Sequence, residues 1–370
     1  MKFKIFQFSF GDGYAGSAKV AILSSKLLSE KGHDVTLFAS QNSLTKKRAG
    51  EIGVKVVAYD SSQPFKDLMK KINEHFETAK PDFVISHHSL DRKIGFKLKS
   101  KFRKDFISLG YRHNITKTFP LIGPALYNHY YDYLIACSKG VADSLINSGI
   151  KEKKVRLIYN GISVPENISE INGNSVREKY NLQDKIVLGL STWFHKERKG
   201  FDILFKSFAE LDVRTGSYGK KFILFLVGIK DEMQNEVFQY ASEFGIGREK
   251  IIMPGYVDNI WEYYKAMDIF LLPSRSEGFS LALLEAAAAR LPIIASDIPG
   301  TNEFIKNGVN GILFDVENPA ELTEAIKKLE ADKDLQERLS ANAQKDVMNN
   351  FLISHYADKL NGLLTDAKKN

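Results

Sequence analysis

The feature that most constrains this chain is an alternation that runs, stops and starts again. In the first half, "KFKIFQFSF", "HDVTLFA", "KVVAYD", "PDFVIS", "KDFISLG", "YDYLIAC" and "KVRLIY" are short β-branched or aromatic runs of strand type. Among them, "AKVAILSSKLLSEKG", "FKDLMKKINEHFETA" and "KGVADSLINSGI" carry the three-to-four spacing of amphipathic helices. Strands separated by helix-length segments form a parallel sheet with helices on both faces. After "NGISVPENISEINGNS", rich in Gly, Pro, Asn and Ser, the pattern resumes. "KIVLGLS", "KFILFLVG", "KIIMPG", "DIFLLPS", "LPIIAS" and "GILFD" read as strands, and "KGFDILFKSFAEL", "MQNEVFQYASEFG", "IWEYYKAM", "SLALLEAAAAR" and "PAELTEAIKKLEAD" as helices. The expectation is α/β: two Rossmann-like doubly wound domains, residues 1–163 and 164–351, hinged near residue 163. A length of 370 residues suits two such cores better than one. Ligands of these sheets bind at the carboxyl ends of the strands, which line a cleft when two domains face one another.

The single cysteine, Cys137, excludes an internal disulfide and fits a reducing setting, and no apolar run has the length to cross a bilayer. A cytoplasmic location is therefore expected. The net charge of +7 is unevenly spread: residues 1–165 hold 27 Lys and Arg against 14 Asp and Glu, and the remainder holds 25 against 31. A basic half joined to a mildly acidic one predicts a different partner for each.

The chemistry concentrates in "SRSEGFSLALLEAAAARLP", residues 274–292, where Glu277 and Glu285 sit among Leu, Ala, Gly and Phe. The segment reads as a loop and then a helix capped by Ser280, with Gly278 allowing a tight turn. A helix start with spare N–H groups is an anion site. Glu277 falls in the loop, and Glu285, inside the helix, leans back towards what the loop holds. Carboxylates on either side of a phosphate site suit a nucleotide diphosphate sugar, with hydroxyls at both ends.

"PSRSEGFSLALLE" has the E-x7-E pattern of retaining glycosyltransferases, and the chain resembles glycosyltransferase family 4, with the GT-B fold. The resemblance runs through "GYAGSAKVAILSSKLLSEKGHDVTLFAS", "YDYLIACSKGVADSLINSGIKEKKVRLIYNGIS", "RKGFDILFKSFAEL" and "IIMPGYVDNIWEYYKAMDIFLLPSRSEGFSLALLEAAAARLPIIASDIPGTNEFIKNGVNGILFD". It implies transfer of a sugar from a nucleotide-sugar donor with retention, without an obligatory metal or cofactor. No D-x-D pair is read in the sequence, so the usual metal–diphosphate bridge is not expected. The resemblance puts Glu285 on the ribose, Glu277 on the sugar, and the backbone of Gly278, Phe279, Ser280 and Leu281 around the diphosphate, with Gly255 among the donor-side positions. Lys199 becomes the cation that stabilises the leaving diphosphate. Where many relatives have a Gly-Arg pair, this chain has Thr192 and Trp193, so Arg198 (or Lys196) is expected to supply the second positive charge. Gly16 is expected to meet the phosphate from the first domain, and His113, with help from Arg112, the donor sugar. The C-terminal segment, about 352–370, is expected to cross back to the first domain. Front-face attack is the preferred mechanism, with the diphosphate taking the acceptor's proton, and UDP is preferred over GDP.

The first half carries one further signal. "DRKIGFKLKSKFRKDF", residues 91–106, interleaves seven Lys and Arg with Ile94, Phe96, Leu98 and Phe102. As a helix with its apolar residues at a lipid boundary it would, with "TKKR" at 45–48, dock the chain peripherally on an anionic membrane bearing a lipid-linked or glycan acceptor. No motif accompanies the charge to suggest nucleic acid. The competing functions are a nucleotide-sugar epimerase or hydrolase on the same scaffold, and a non-catalytic nucleotide-sugar binder.

Overall fold

The computed structural model describes residues 1–11, 16–103, 105–115, 122–214 and 222–369, without the side chains of 212–214. The chain divides into two units, Met1–Gly161 together with Ile353–Asn370, and Ile162–Leu352.

The first unit is built on seven parallel strands: β1 (Lys4–Ser9), β2 (Asp34–Ser40), β3 (Val56–Tyr59), β4 (Phe83–Ser86), β5 (Ile107–Arg112), β6 (Tyr133–Ala136) and β7 (Val155–Leu157), in the order β3-β2-β1-β4-β5-β6-β7. Because helices cover both faces, β1 is buried along almost its whole length, and the rings of Phe6, Phe8 and Phe38 pack together at its centre. Buried with them is Gln7, a polar group that has to be hydrogen-bonded at that depth. The C-terminal helix Ile353–Lys369 belongs to this unit. It buries Tyr356, Leu360 and Leu364, and is tied down by His33 to Asn361 at 2.8 Å and Lys368 to Asp82 at 2.6 Å.

The second unit has six parallel strands: β8 (Ile186–Ser191), β9 (Phe222–Val227), β10 (Ile251–Gly255), β11 (Ile269–Leu272), β12 (Ile293–Ser296) and β13 (Ile312–Phe314), ordered β10-β9-β8-β11-β12-β13. In each sheet the chain winds outward in one direction, then returns to the middle and winds the other way. The reversal opens a crevice at the carboxyl ends of β1 and β4 in the first sheet, and of β8 and β11 in the second.

Every strand read from the sequence forms. Among the described residues four helices were not anticipated: Leu44–Glu51, Ile122–Tyr130, Asn174–Lys179 and Lys333–Asn350. The last buries Leu335, Leu339, Ala343 and Val347, one residue in four, a stripe too narrow to register as amphipathic in a polar segment. Asn174–Lys179 lies where the sequence suggests a linker. Gly173, just before it, packs so closely on Lys265 and Ala266 that a Cβ would come within 2.4 Å of the Ala266 nitrogen.

Candidate active site

In the second unit, β11 runs into the loop 273–280 and then the helix Leu281–Ala288. Ser280 caps that helix, its Oγ accepting from the Leu283 N–H at 3.3 Å. Helix geometry leaves the N–H groups of Leu281 and Ala282 without an intrahelical partner, facing the carboxyl ends of the strands. Two glycines allow neighbouring segments to close on this loop. Gly300 has φ of +87°, and a Cβ there would lie 2.3 Å from the Gly278 carbonyl oxygen; Gly200 has φ of +65°, and a Cβ would lie 1.9 Å from the Pro273 oxygen. Neither position tolerates a side chain.

The approach at Gly200 places Lys199 beside Glu277. Lys199 Nζ donates to Glu277 Oε1 at 2.7 Å, with both side chains about nine-tenths buried. Two opposite charges out of solvent at this distance need one another. Glu285 is also buried, and its Oε2 accepts from the Tyr264 hydroxyl at 2.9 Å. Burial, with the Glu285 charge behind it, pushes the Tyr264 phenol well above its ordinary pKa, so Tyr264 is the donor. Tyr264→Phe is expected to lower stability by about 1.5–3 kcal/mol, the cost of removing a hydrogen bond to a charged group, measured by denaturant unfolding.

The group that holds the loop is one that the sequence did not single out. Arg275 donates to both carboxylate oxygens of Asp202, at 2.7 and 2.9 Å, and to Glu317 at 2.9 Å, while its backbone N–H donates to the Arg198 carbonyl at 2.9 Å. Burial alone would raise the Asp202 carboxyl, but the hydrogen bonds and charge of Arg275 hold it below its ordinary value. The fork locks the loop 273–280 onto the helix Phe201–Arg214.

Of the remaining expected positions, the Phe279 ring is buried and packs on Phe351 at 5.3 Å, so only its backbone remains for a ligand. Gly255 ends β10 with φ of +78°. Lys196 extends to Glu236 at 3.6 Å and over the Tyr240 ring. Arg198 lies 6.0 Å from the centre of the exposed Trp193 ring. Contrary to that reading, the chain does hold one D-x-D pair, Asp332 and Asp334, but it opens the helix Lys333–Asn350, with Asp332 as its cap. Among the described residues no three His, Cys, Asp or Glu are grouped to hold a metal ion.

In the first unit, the loops after β1, β4 and β5 bring histidines together. Gly16 opens the helix Gly16–Glu30, and the loop residues 12–15 before it lie outside the described residues. Asp91, fully buried, accepts from the backbone N–H groups of Phe10, His87 and His88, at 3.0, 3.2 and 2.6 Å, and so joins the ends of β1 and β4. His88 bonds Asp91 through Nδ1 and Ser17 through Nε2. His87 is sandwiched in a polar row: its Nε2 is 2.9 Å from Gln7 Oε1 and its Nδ1 is 3.0 Å from His113 Nε2. The His113 ring stacks on Tyr111 at 4.2 Å. Arg112, next in the chain, instead donates to the Tyr127 hydroxyl at 3.0 Å.

Burial drives the His87 pKa down to about 3, with the neighbouring His88 and Arg92 adding to it, and it drives His113 well below its ordinary value too. Both rings are neutral at pH 7. Below pH 6.5 the unfolded chain takes up a proton that folded His87 refuses, so the contribution of this group to stability is level above that pH and falls as the pH drops towards 3. Between pH 6.5 and 5 this one group is expected to cost about 2 kcal/mol. Urea unfolding at the two values, with His87→Gln expected to reduce the difference and leave the part due to His113, measures it.

The basic segment departs from expectation. Residues 89–102 are helical, but Ile94 and Leu98 are in the core, Phe96 packs on Tyr127 and Tyr131, and Phe102 stacks on Phe76. Its apolar residues are turned into the unit because they complete the cover of β4 and β5, and none is left for a lipid boundary. The exposed side chains are cationic, Lys93, Lys97, Lys101 and Arg103 among them. Exposed apolar side chains occur instead on the neighbouring helix Ile122–Tyr130, at Ile122 and Leu126. Among the described residues no helix is long and apolar enough to cross a membrane.

Two family models match the chain: one described as Glycosyltransferase Family 4, over residues 14–165, and one described as Glycosyl transferases group 1, over residues 174–346. The uncharacterized glycosyltransferase MJ1607 of Methanocaldococcus jannaschii is 29% identical over 205 residues, which are 54% of this chain and 51% of that protein. The chain thus spans about half the length of this relative. The N,N'-diacetylbacillosaminyl-diphospho-undecaprenol alpha-1,3-N-acetylgalactosaminyltransferase of Campylobacter jejuni is 25% identical over 352 residues, 87% of this chain and 89% of that one. The crystal structure of Anabaena Alr3699/HepE in complex with UDP-glucose matches with a TM-score of 0.85 at 19% identity, covering 98% of this chain and 100% of that one. That likeness identifies the fold as GT-B.

Proposed function

Since the chain belongs to the group 1, family 4 glycosyltransferases, we propose that it is a retaining hexosyltransferase, moving a sugar from a UDP-sugar to a lipid-linked or glycan acceptor in the synthesis of a cell-surface polysaccharide or lipopolysaccharide. The observation that carries this reading is the buried Lys199–Glu277 pair at the crevice of the second sheet, beside the spare N–H groups of the helix Leu281–Ala288. An ammonium there neutralises a β-phosphate, the helix start takes the diphosphate, and two carboxylates accept from hydroxyls at its two ends. UDP is favoured by the UDP-glucose bound to the HepE structure, and the acceptor class by the Campylobacter enzyme's lipid-linked substrate.

In this reading Glu285 holds the ribose and Glu277 the sugar, with the backbone of residues 278–281 and Gly255 around the diphosphate. The bond from the anomeric carbon to the β-phosphate oxygen breaks, the acceptor oxygen bonds to that carbon on the same face, and the acceptor's proton passes to the departing phosphate. Lys199 stabilises the charge that develops on that oxygen more than the charge present at the start. Arg198 is the second cation, and neither a metal nor a cofactor is required.

Thermal-shift measurements with UDP, GDP, ADP and their sugars test the donor. Stabilisation by UDP and a UDP-sugar is expected, and a response to none of them would reject the reading. Stoichiometric conversion of a UDP-sugar without acceptor would instead favour the epimerase or hydrolase. The exposed cations of residues 93–103 are proposed to hold the protein at the inner face of the plasma membrane by charge, with Ile122 and Leu126 adding the apolar contact. Co-sedimentation with anionic vesicles at low salt is expected, and its loss at about 0.5 M salt, where screening shortens to a few ångströms.

A further inference from the structure

In the second unit the Lys199–Glu277 pair is held together by contacts that clamp the segments carrying it. Gly200 lies against the Pro273 carbonyl, the Arg275 N–H donates to the Arg198 carbonyl at 2.9 Å, and Arg275 Nη1 donates to the Glu197 carbonyl at 3.1 Å. This clamp keeps Lys199 Nζ 2.7 Å from Glu277 Oε1, with both side chains about nine-tenths out of solvent. The cations on either side are themselves paired, Arg275 with Asp202 and Glu317, and Lys196 with Glu236. Lys199 and Glu277 are neutral as a unit, and each compensates the other.

A diphosphate that takes the ammonium upsets this balance. Glu277 then lies next to added negative charge, and it needs other N–H or O–H donors in place of the ammonium. A sugar attached to the β-phosphate brings them, since its hydroxyls donate to a carboxylate. Bare UDP does not. The phosphate that ends it carries acceptor oxygens and, above about pH 6, one further negative charge.

We propose that Glu277, besides its contact with the sugar, is a resident counter-ion of Lys199 that distinguishes substrate from product: it lets a UDP-sugar take the ammonium, and it weakens the hold on UDP once the sugar has left. The role rests on the donor reading above and extends it to release of the product. One carboxylate serves two successive states. Before transfer it is satisfied by sugar hydroxyls; after transfer it draws Lys199 back from the diphosphate to the resting 2.7 Å. Without that carboxylate the ammonium would act on the product with its full charge.

The test is calorimetric titration of the full chain with UDP, comparing the wild type with Glu277→Gln and Glu277→Asp. Glu277→Gln keeps the shape and an acceptor for Lys199 but removes the charge. UDP is expected to bind it about tenfold more tightly, the scale of one like charge taken from within a few ångströms of a phosphate in partly screened surroundings. Glu277→Asp keeps the charge and draws it back by a methylene, so a smaller tightening is expected. UDP-glucose, UDP-galactose and UDP-N-acetylglucosamine are expected to gain nothing from either change, because the lost hydroxyl contact offsets the freed ammonium. UDP affinity equal to or below the wild type in folded Glu277→Gln would overturn the proposal, and Glu277→Asp decides by the same criterion if Glu277→Gln does not fold. Tightening of a UDP-sugar by as much as UDP would overturn it too, since charge alone would then account for both. Failure of UDP to bind the wild type and the variants alike would refute the donor reading and the release role with it, whereas UDP that binds without tightening overturns the release role alone.

Discussion

Lys199→Ala is expected to lower turnover at saturating donor by roughly two to three decades, the usual effect of removing a group that stabilises charge developing in the transition state. The same change strands Glu277, which is 6% exposed, without its counter-charge, and a buried carboxylate left alone costs about 3–5 kcal/mol of stability. The two effects separate in a cycle of Lys199→Met, Glu277→Gln and the double variant Lys199→Met, Glu277→Gln. Replacing both charges by groups of similar size is expected to restore most of the stability, because no ion is then left unpaired. It should not restore turnover. Turnover recovering with stability would mean that Lys199 serves the fold and not the leaving group.

Glu285→Ala is expected to weaken binding of UDP by about 1.5–3 kcal/mol, roughly 10- to 150-fold, the value of a hydrogen bond to a charged acceptor. The Tyr264 hydroxyl loses its acceptor in this variant, and its desolvation adds to the loss of stability. Calorimetric titration with UDP is the measurement, and an unchanged dissociation constant in a folded variant would exclude the ribose contact. Glu285→Gln retains an acceptor for Tyr264 and so distinguishes the ligand's need for charge from the fold's need for a partner.

The alternation of strand and helix was legible because each of the thirteen strands among the described residues is a compact β-branched or aromatic run bounded by polar residues or glycine. The capped helix after β11 was legible too, since Ser280, Gly278 and the two glutamates are close in sequence. What was not legible is partnership over long separations. Arg275 finds Asp202 73 positions away, Tyr264 finds Glu285 at 21, and Gln7 finds His87 at 80. No local pattern marks them, because strand order in a parallel sheet decides which distant loops become neighbours. The basic segment 91–106 misled for a related reason. Its apolar residues have helical spacing whether they face lipid or a protein core, and only the packing of Phe96 and Phe102 distinguishes the two.

The Arg275 fork also bears on the kinetics of ligand capture. A segment fastened by its own arginine to Asp202 and Glu317 already has its working shape when a ligand arrives. Capture of UDP at this unit should then be a single collision-limited step, linear in concentration and free of a slow isomerisation phase. Cutting the fork with Arg275→Leu should introduce that phase, as the loosened segment would have to search for its conformation after each encounter.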